Sequence, residues 1–130
     1  MKTDHQDDDN PLLLTSIGHD KLRVGQRWSY RARPVDPEST LVIVAIDRHC
    51  SGTLVNIAIQ NLNAGPDLKE LLVPITLEHL EGELIDLLDD GVDVADHSGS
   101  YTDWKALVEK GKAGTFTTSP AAIVETIAAQ

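Results

Sequence analysis

The chain has 130 residues, 41% of them hydrophobic and 25% charged, which is the composition of a globular protein with the length of one domain. Twenty-one acids against eleven Lys and Arg give a net charge of −10, which argues against nucleic acid as a partner because phosphate backbones are repelled. The single cysteine, the lack of a secretory signal pattern and the lack of an apolar run of about 20 residues predict a cytoplasmic protein with no membrane partner.

The N-terminal segment is acidic and nearly devoid of apolar residues. Residues 1–10 include Asp4, Asp7, Asp8 and Asp9, and burial cannot offset the entropy of ordering such a segment. We therefore predict a disordered acidic tail over residues 1–10 and a single α+β domain over residues 11–130.

Three strands are predicted in the first half of the chain. Residues 26–33 alternate between apolar and polar side chains, which is typical of a half-buried strand that ends before Pro34. Residues 41–47 are apolar at nearly every position and predict a central strand. Residues 53–62 alternate again, so they are expected to form a hairpin with the central strand across a turn at residues 48–52.

Helices are predicted in the second half. Leucines recur at three- and four-residue spacing from Leu77 to Leu88 behind Thr76, a candidate N-cap, and this pattern predicts a helix over residues 77–90. A second helix is predicted over residues 102–110, where Trp104 and Leu107 would face the core.

The last predicted elements are a short strand at residues 115–117 and a helix over residues 120–129. Ser119 is the expected cap of that helix, with Pro120 at its first position. Residues 68–75 are too short and mixed to assign. The order β-β-β-α-α-β-α predicts an α+β fold, in which a small antiparallel sheet, curled into a partial barrel or roll, packs against about three helices.

Charge is distributed unevenly along the chain. Five of the eleven bases lie in residues 21–33, whereas residues 70–103 contain ten acids and no Lys or Arg. The ten acids are Glu70, Glu78, Glu81, Glu83, Asp86, Asp89, Asp90, Asp93, Asp96 and Asp103. One interpretation is an acidic surface that recognises a basic protein. The alternative is a solvated face together with internal pairing of the two segments.

Arg27, Arg31 and Arg33 are the candidate ligand-binding residues. Their spacing places them on one face of the first predicted strand, where guanidinium groups could hold a carboxylate or phosphate. The alternative is that they protect an exposed sheet face or pair with nearby acids, namely Asp36, Glu38 and Asp47.

No residue is assigned a catalytic or metal-binding role, and no cofactor is expected. A reactive pair is conceivable at His49 and Cys50, but no second cysteine supports a zinc site. A calcium loop centred on Gly91 fails because Leu88 and His97 would occupy ligand positions. The chain also lacks the phosphate- and dinucleotide-binding glycine motifs, which lowers the expectation of an enzyme.

Residues 25–34 read Gly-Gln-Arg-Trp-Ser-Tyr-Arg-Ala-Arg-Pro. This stretch resembles small bacterial proteins of no assigned function that share a Gly-Gln-x-Trp-x-Tyr-x-x-Arg-Pro pattern, and residues 101–104 and 111–117 are similar to the same group. The resemblance implies a bacterial origin and a shared fold, and it carries over no catalytic or binding residue.

The function we predict is a non-enzymatic binding module, with a basic protein as its partner. The alternative is a small enzyme or anionic-ligand-binding protein that uses Arg27, Arg31 and Arg33. An exposed edge strand could also support a homo-oligomer.

Overall fold

The computed structural model describes residues 10–129, and a long hairpin forms the centre of its sheet. Strands β3 (Thr40–His49) and β4 (Gly52–Gln60) pair antiparallel and are joined by a two-residue turn at Cys50 and Ser51. Gly52 has a φ of 126°, a left-handed value that favours glycine at such a turn. The predicted hairpin is therefore confirmed.

Further strands extend the hairpin into an open antiparallel sheet. On the β3 side follow β2 (Gln26–Tyr30) and then β6 (Leu84–Asp90), and on the β4 side follows β5 (Leu71–Thr76). The short strand β1 (Thr15–Ser16) pairs with the C-terminal end of β3. The order is β5-β4-β3-β2-β6, and in the described chain the two end strands do not pair, so the sheet is not closed into a barrel. The predicted α+β class on an antiparallel sheet is confirmed.

One face of the sheet carries the main hydrophobic core. Buried side chains of β3, β4 and β5 pack there against helix α3 (Pro120–Ala128), which contributes Ile123 and Val124. Ser119 Oγ accepts a hydrogen bond from the Ala122 N–H at 3.2 Å, as an N-cap does. The closing helix and its cap are thus confirmed.

The opposite face is covered by helix α2 (Ser98–Glu109) and by the segment that precedes it. Val92 and Val94 of this segment pack against three buried side chains of β3 and β4, namely Val42, Val44 and Ala58. Val108 of α2 packs against Leu14 and Leu54. Helix α2 begins four residues before the predicted helix because the 3₁₀ turn Ala95–His97 leads directly into it.

The helix predicted over residues 77–90 is wrong beyond its first turn. Helix α1 covers only Leu77–Leu80, a 3₁₀ turn follows at Glu81–Glu83, and Leu84–Asp90 form strand β6. Thr76, the expected N-cap, makes no side-chain hydrogen bond to the helix backbone. The leucine spacing therefore has a different cause.

That cause is an irregular pairing between β6 and β2. Leu84 lies opposite Tyr30 and Leu87 lies opposite Trp28, so three steps along β6 match two steps along β2. A β-bulge of this kind places side chains three residues apart on the same face of a sheet, which imitates helical spacing.

Two other segments differ from or complete the sequence prediction. Residues 68–75, which were unassigned, supply most of β5. The strand predicted at residues 115–117 is a single parallel bridge between Phe116 and Ile75. Because Pro74 lies within β5, its missing N–H suits an edge position.

Residues 1–9 of the predicted acidic tail lie outside the described residues. Asn10, the last residue of that prediction, donates from Nδ2 to the Glu109 carbonyl at 3.1 Å and accepts the Leu12 N–H at 3.0 Å. Among residues 10–129 no helix combines the length and apolar character that a bilayer crossing requires.

Candidate functional site

Arg33, one of the three candidate ligand-binding arginines, is engaged by two carboxylates. Because β2 ends at Tyr30, the chain turns and brings Arg33 to Asp36. Arg33 Nε and Nη2 donate to the two Asp36 oxygens at 2.7 and 3.3 Å, and Nη1 donates to Glu125 Oε2 at 2.9 Å. The predicted alternative, pairing with a nearby acid, is therefore what the structure shows for Arg33.

The Asp36 carboxylate is completely buried, with a side-chain exposure of 0%. Burial opposes its ionisation, but the hydrogen bonds from Arg33 and from the Asn63 N–H at 2.7 Å lower its pKa overall. The same bond with Asp36, followed by that with Glu125, raises the pKa of Arg33. This ion pair anchors the chain after β2 and leaves little of Arg33 for a ligand.

Arg27 and Arg31 are placed differently. Arg27 Nε lies 3.6 Å from Asp89 Oδ2, and it is buried without a hydrogen-bond partner among the described residues. Arg31 is exposed, and its backbone N–H donates to the Glu83 carbonyl at 2.9 Å. Four surface depressions of about 150 to 400 Å³ have none of the three arginines in their walls. Anion binding by the arginines stays a prediction.

The basic and acidic segments of the chain meet where β2 pairs with β6. Arg23 Nη2 donates to Asp90 Oδ2 at 2.9 Å, and Arg27 faces Asp89. Within residues 10–129, five other acids of the acidic segment form no ion pair within 4 Å: Glu83, Asp86, Asp93, Asp96 and Asp103. Internal pairing thus accounts for only part of the charge asymmetry.

Strand β6 combines this acidity with exposed apolar side chains. Ile85, Leu87 and Leu88 are 55%, 46% and 48% exposed, and they account for half of the large exposed hydrophobic residues that the structure describes. Their acidic neighbours are Glu83, Asp86, Asp89 and Asp90. We call the exposed side chains of residues 83–90 the β6 surface.

Sequence reasoning missed the β6 surface because it placed Leu87 and Leu88 in the helix predicted over residues 77–90. Apolar residues that gather in one exposed patch often mark a contact with another molecule. The signal available in the sequence was the short alternation Ile85-Asp86-Leu87, which is typical of a strand, just before Gly91.

A buried polar cluster lies beneath helix α2. The Tyr101 hydroxyl donates to Asp47 Oδ2 at 2.8 Å, whereas Asp47 Oδ1 and Asn56 Nδ2 are buried without a partner among the described residues. Burial raises the pKa of Asp47, and burial together with the Asp47 contact raises the pKa of Tyr101. The Tyr101–Asp47 hydrogen bond joins α2 to strand β3.

His49 and Cys50 lie at the β3–β4 turn. The exposed Cys50 Sγ is 3.8 Å from His49 Nδ1 and 3.9 Å from Nε2. Nearly equal distances to both ring nitrogens leave the sulfur aligned with neither nitrogen lone pair, since each lone pair points outward from its own nitrogen in the ring plane. His49 Nδ1 instead lies 2.8 Å from Ser51 Oγ. This geometry does not form a thiol–imidazole acid–base pair.

Comparison with known proteins gives no further assignment. No protein-family model, curated protein or solved structure matches the chain. Within the described part of the chain, no three His, Cys, Asp or Glu side chains are placed to hold a metal ion. The candidate site therefore rests on the geometry of the β6 surface.

Proposed function

We propose that the chain is a non-enzymatic interaction module that binds a basic protein through the β6 surface and the acidic segment after it. The observation that carries this proposal is the run of ten acids without Lys or Arg between residues 70 and 103. A surface of one charge sign accelerates association with an oppositely charged protein and disfavours other partners.

Two further observations support the proposal. Asp86, Asp93 and Asp96 are exposed, and none has a Lys or Arg partner among the described residues. Ile85 and Leu88 lie exposed beside this charge, and apolar contact area supplies the affinity that surface ion pairs alone do not. We also propose a cytoplasmic location, which the single cysteine supports.

The test is capture of binding proteins from a lysate of the source cell. The bait is compared with a variant that carries Asp86→Asn, Asp93→Asn and Asp96→Asn. The matched control carries Asp20→Asn, Glu38→Gln and Asp67→Asn, which changes the charge equally at three other exposed acids.

Basic proteins should be captured at about 0.05 M salt by the wild type and the control, and lost at about 0.5 M salt. The Asp86, Asp93 and Asp96 variant should not capture them. Capture of the same proteins by all three baits, or of proteins that are not basic, would contradict the proposal.

A second candidate function is binding of a small anion at Arg27 and Arg31, whereas Arg33 is engaged by Asp36 and Glu125. It is favoured by the buried Arg27 Nε, which has no hydrogen-bond partner among the described residues. About 10 mM phosphate should then raise the melting temperature of the wild type but not of Arg27→Met. An unchanged wild-type melting temperature would eliminate this candidate.

A further inference from the structure

Strand β6 is the last strand of the sheet on the β2 side, and its pairing is interrupted twice. Among residues 10–129 it pairs with β2 and with no other strand. Register shifts occur between the partners of Arg27 and Trp28 and between those of Trp28 and Tyr30. Each shift adds an unpaired residue on β6, and bulges of this kind interrupt the regular row of backbone donors and acceptors that a new strand would need.

The other edge of the sheet is also interrupted, at residues 74–76 of β5. β5 contains Pro74, which has no N–H to donate. The Phe116 N–H donates to the Pro74 carbonyl at 3.0 Å, and the Thr76 N–H donates to the Phe116 carbonyl at 3.1 Å. Because two bulges interrupt the pairing of β6, we expect a partner of the β6 surface to bind through side chains.

The β6 surface offers side chains in a compact arrangement. Ile85 and Leu88 are three residues apart, which corresponds to about 10 Å along a strand. Two turns of an α-helix span about 11 Å, so apolar residues at positions i, i+3 and i+7 of a helix match this length. A cavity of about 150 Å³, lined by Leu22, Trp28 and Leu84 with Lys21 and Glu81, adjoins the start of β6 and can take one apolar side chain.

The negative charge of the β6 surface indicates which kind of molecule binds there. A second copy of the chain would bring the same carboxylates against each other, namely Glu83, Asp86, Asp89 and Asp90 from each copy. The Asp89 and Asp90 pairs with Arg27 and Arg23 are partly solvated and neutralise only half of these charges. A helix with Lys or Arg on both sides of its apolar stripe complements the surface instead.

We propose that the β6 surface docks an amphipathic basic helix, whose apolar stripe covers Ile85 and Leu88 and whose Lys and Arg side chains face the neighbouring carboxylates. This inference rests on the proposed function and specifies how the partner is recognised. It corresponds to the helix-in-groove class of peptide recognition, on a sheet edge whose regular pairing is interrupted by bulges.

Two matched synthetic peptides serve as probes for the full chain. Both are 14-residue peptides of Leu and Lys in equal number, one with leucines at helical spacing and the other with strict alternation, which favours a strand. Binding of each labelled peptide is followed by fluorescence anisotropy. The helical peptide should bind the wild type at least tenfold more tightly than the alternating peptide.

The protein variants separate apolar docking from charge. Ile85→Ser with Leu88→Ser should weaken binding of the helical peptide at least tenfold. Val35→Ser with Leu107→Ser, which removes two exposed apolar side chains elsewhere, should change it less than twofold. Urea midpoints of both variants verify the fold, and the comparison of the two peptides on the wild type needs no variant.

The outcomes separate this inference from the proposed function. If the Asp86, Asp93 and Asp96 variant loses binding but the Ile85 and Leu88 variant does not, the acidic module stands and helix docking is overturned. If the Ile85 and Leu88 variant loses binding but the Asp86, Asp93 and Asp96 variant does not, the acidic module is overturned and apolar docking is supported. Tighter binding of the alternating peptide, or no binding of the helical peptide up to about 100 μM, also overturns helix docking. Helix docking is also overturned if the free wild-type chain is a dimer and the variant with Ile85→Ser and Leu88→Ser is a monomer.

Discussion

The ion pair between Arg33 and Asp36 permits a quantitative prediction. Arg33→Met removes the cation but keeps an apolar side chain of similar length, so the packing of the stem is retained. Removing one partner of a buried ion pair typically costs about 3–5 kcal/mol, because the other charge is left buried. Asn63 N–H still donates to Asp36 Oδ1 at 2.7 Å in the variant. We therefore expect a loss of about 3 kcal/mol, the lower end of the range.

Urea unfolding at neutral pH measures this loss. With an m-value of about 2 kcal/mol/M for a domain of this size, the midpoint of Arg33→Met should fall by about 1.5 M. Arg31→Met is the matched control, since Arg31 is exposed and its side chain has no ion pair among the described residues. The control should stay within about 0.5 kcal/mol of the wild type. A loss below about 1 kcal/mol in Arg33→Met would refute the reasoning.

The pH dependence of the same variant gives a second readout. In the wild type the pKa of Asp36 lies below its ordinary value of 3.8, so its contribution to stability is present above that pH and is lost as the pH falls through the folded pKa. Without Arg33, burial should raise this pKa, and stability is then lost as the pH rises through it. The stability gap between the two proteins should therefore shrink between pH 7 and about pH 4. A constant gap would refute this assignment.

Two further predictions concern the sheet and its turns. Asp47→Asn keeps an acceptor for Tyr101 and removes the charge whose burial raises the pKa of Asp47, so the free energy of unfolding at pH 7 should increase. Because the folded pKa of Asp47 is raised, wild-type stability is lost as the pH rises through that pKa. The advantage of the variant should therefore vanish as the pH falls to near 3.8, the ordinary pKa of the group. Equal urea midpoints of the two proteins at pH 7 would contradict this prediction. Gly25→Ala should destabilise by about 1–3 kcal/mol, given a strained backbone for alanine. Gly25 has a φ of 93°, and an added Cβ would lie 3.0 Å from the Val92 carbonyl oxygen. Gly82→Ala is the control: its added Cβ meets nothing within 4 Å, so the urea midpoint should not change.

Elements specified by local patterns were predictable from the sequence. The β3–β4 hairpin follows from two apolar runs that flank a turn, and helix α3 follows from Ser119 and Pro120 ahead of a regular apolar stripe. In these elements the residue spacing, the turn chemistry and the tertiary packing agree, so each signal supports the others.

The β6 surface could not be predicted, because two bulges change the meaning of the leucine spacing. Leu84 and Leu87 face the same side of the sheet only because β2 contributes one residue fewer between their partners. The prediction that Arg27, Arg31 and Arg33 share one strand face was limited by a different cause. Arg33 leaves the strand after Tyr30 and meets Glu125 of α3, a contact between residues 92 positions apart that no local pattern reports.

The pairing of β2 with β6 has a consequence for the order of folding. The β3–β4 hairpin closes across a two-residue turn, whereas Ser29 and Asp86, which share hydrogen bonds between β2 and β6, lie 57 positions apart. Contacts between distant residues form late because the entropy of closing the intervening loop must be overcome first. We therefore expect the hairpin to form early and β6 to join the sheet last. A partner that recognises β6 would then bind the finished protein and ignore chains still emerging from the ribosome.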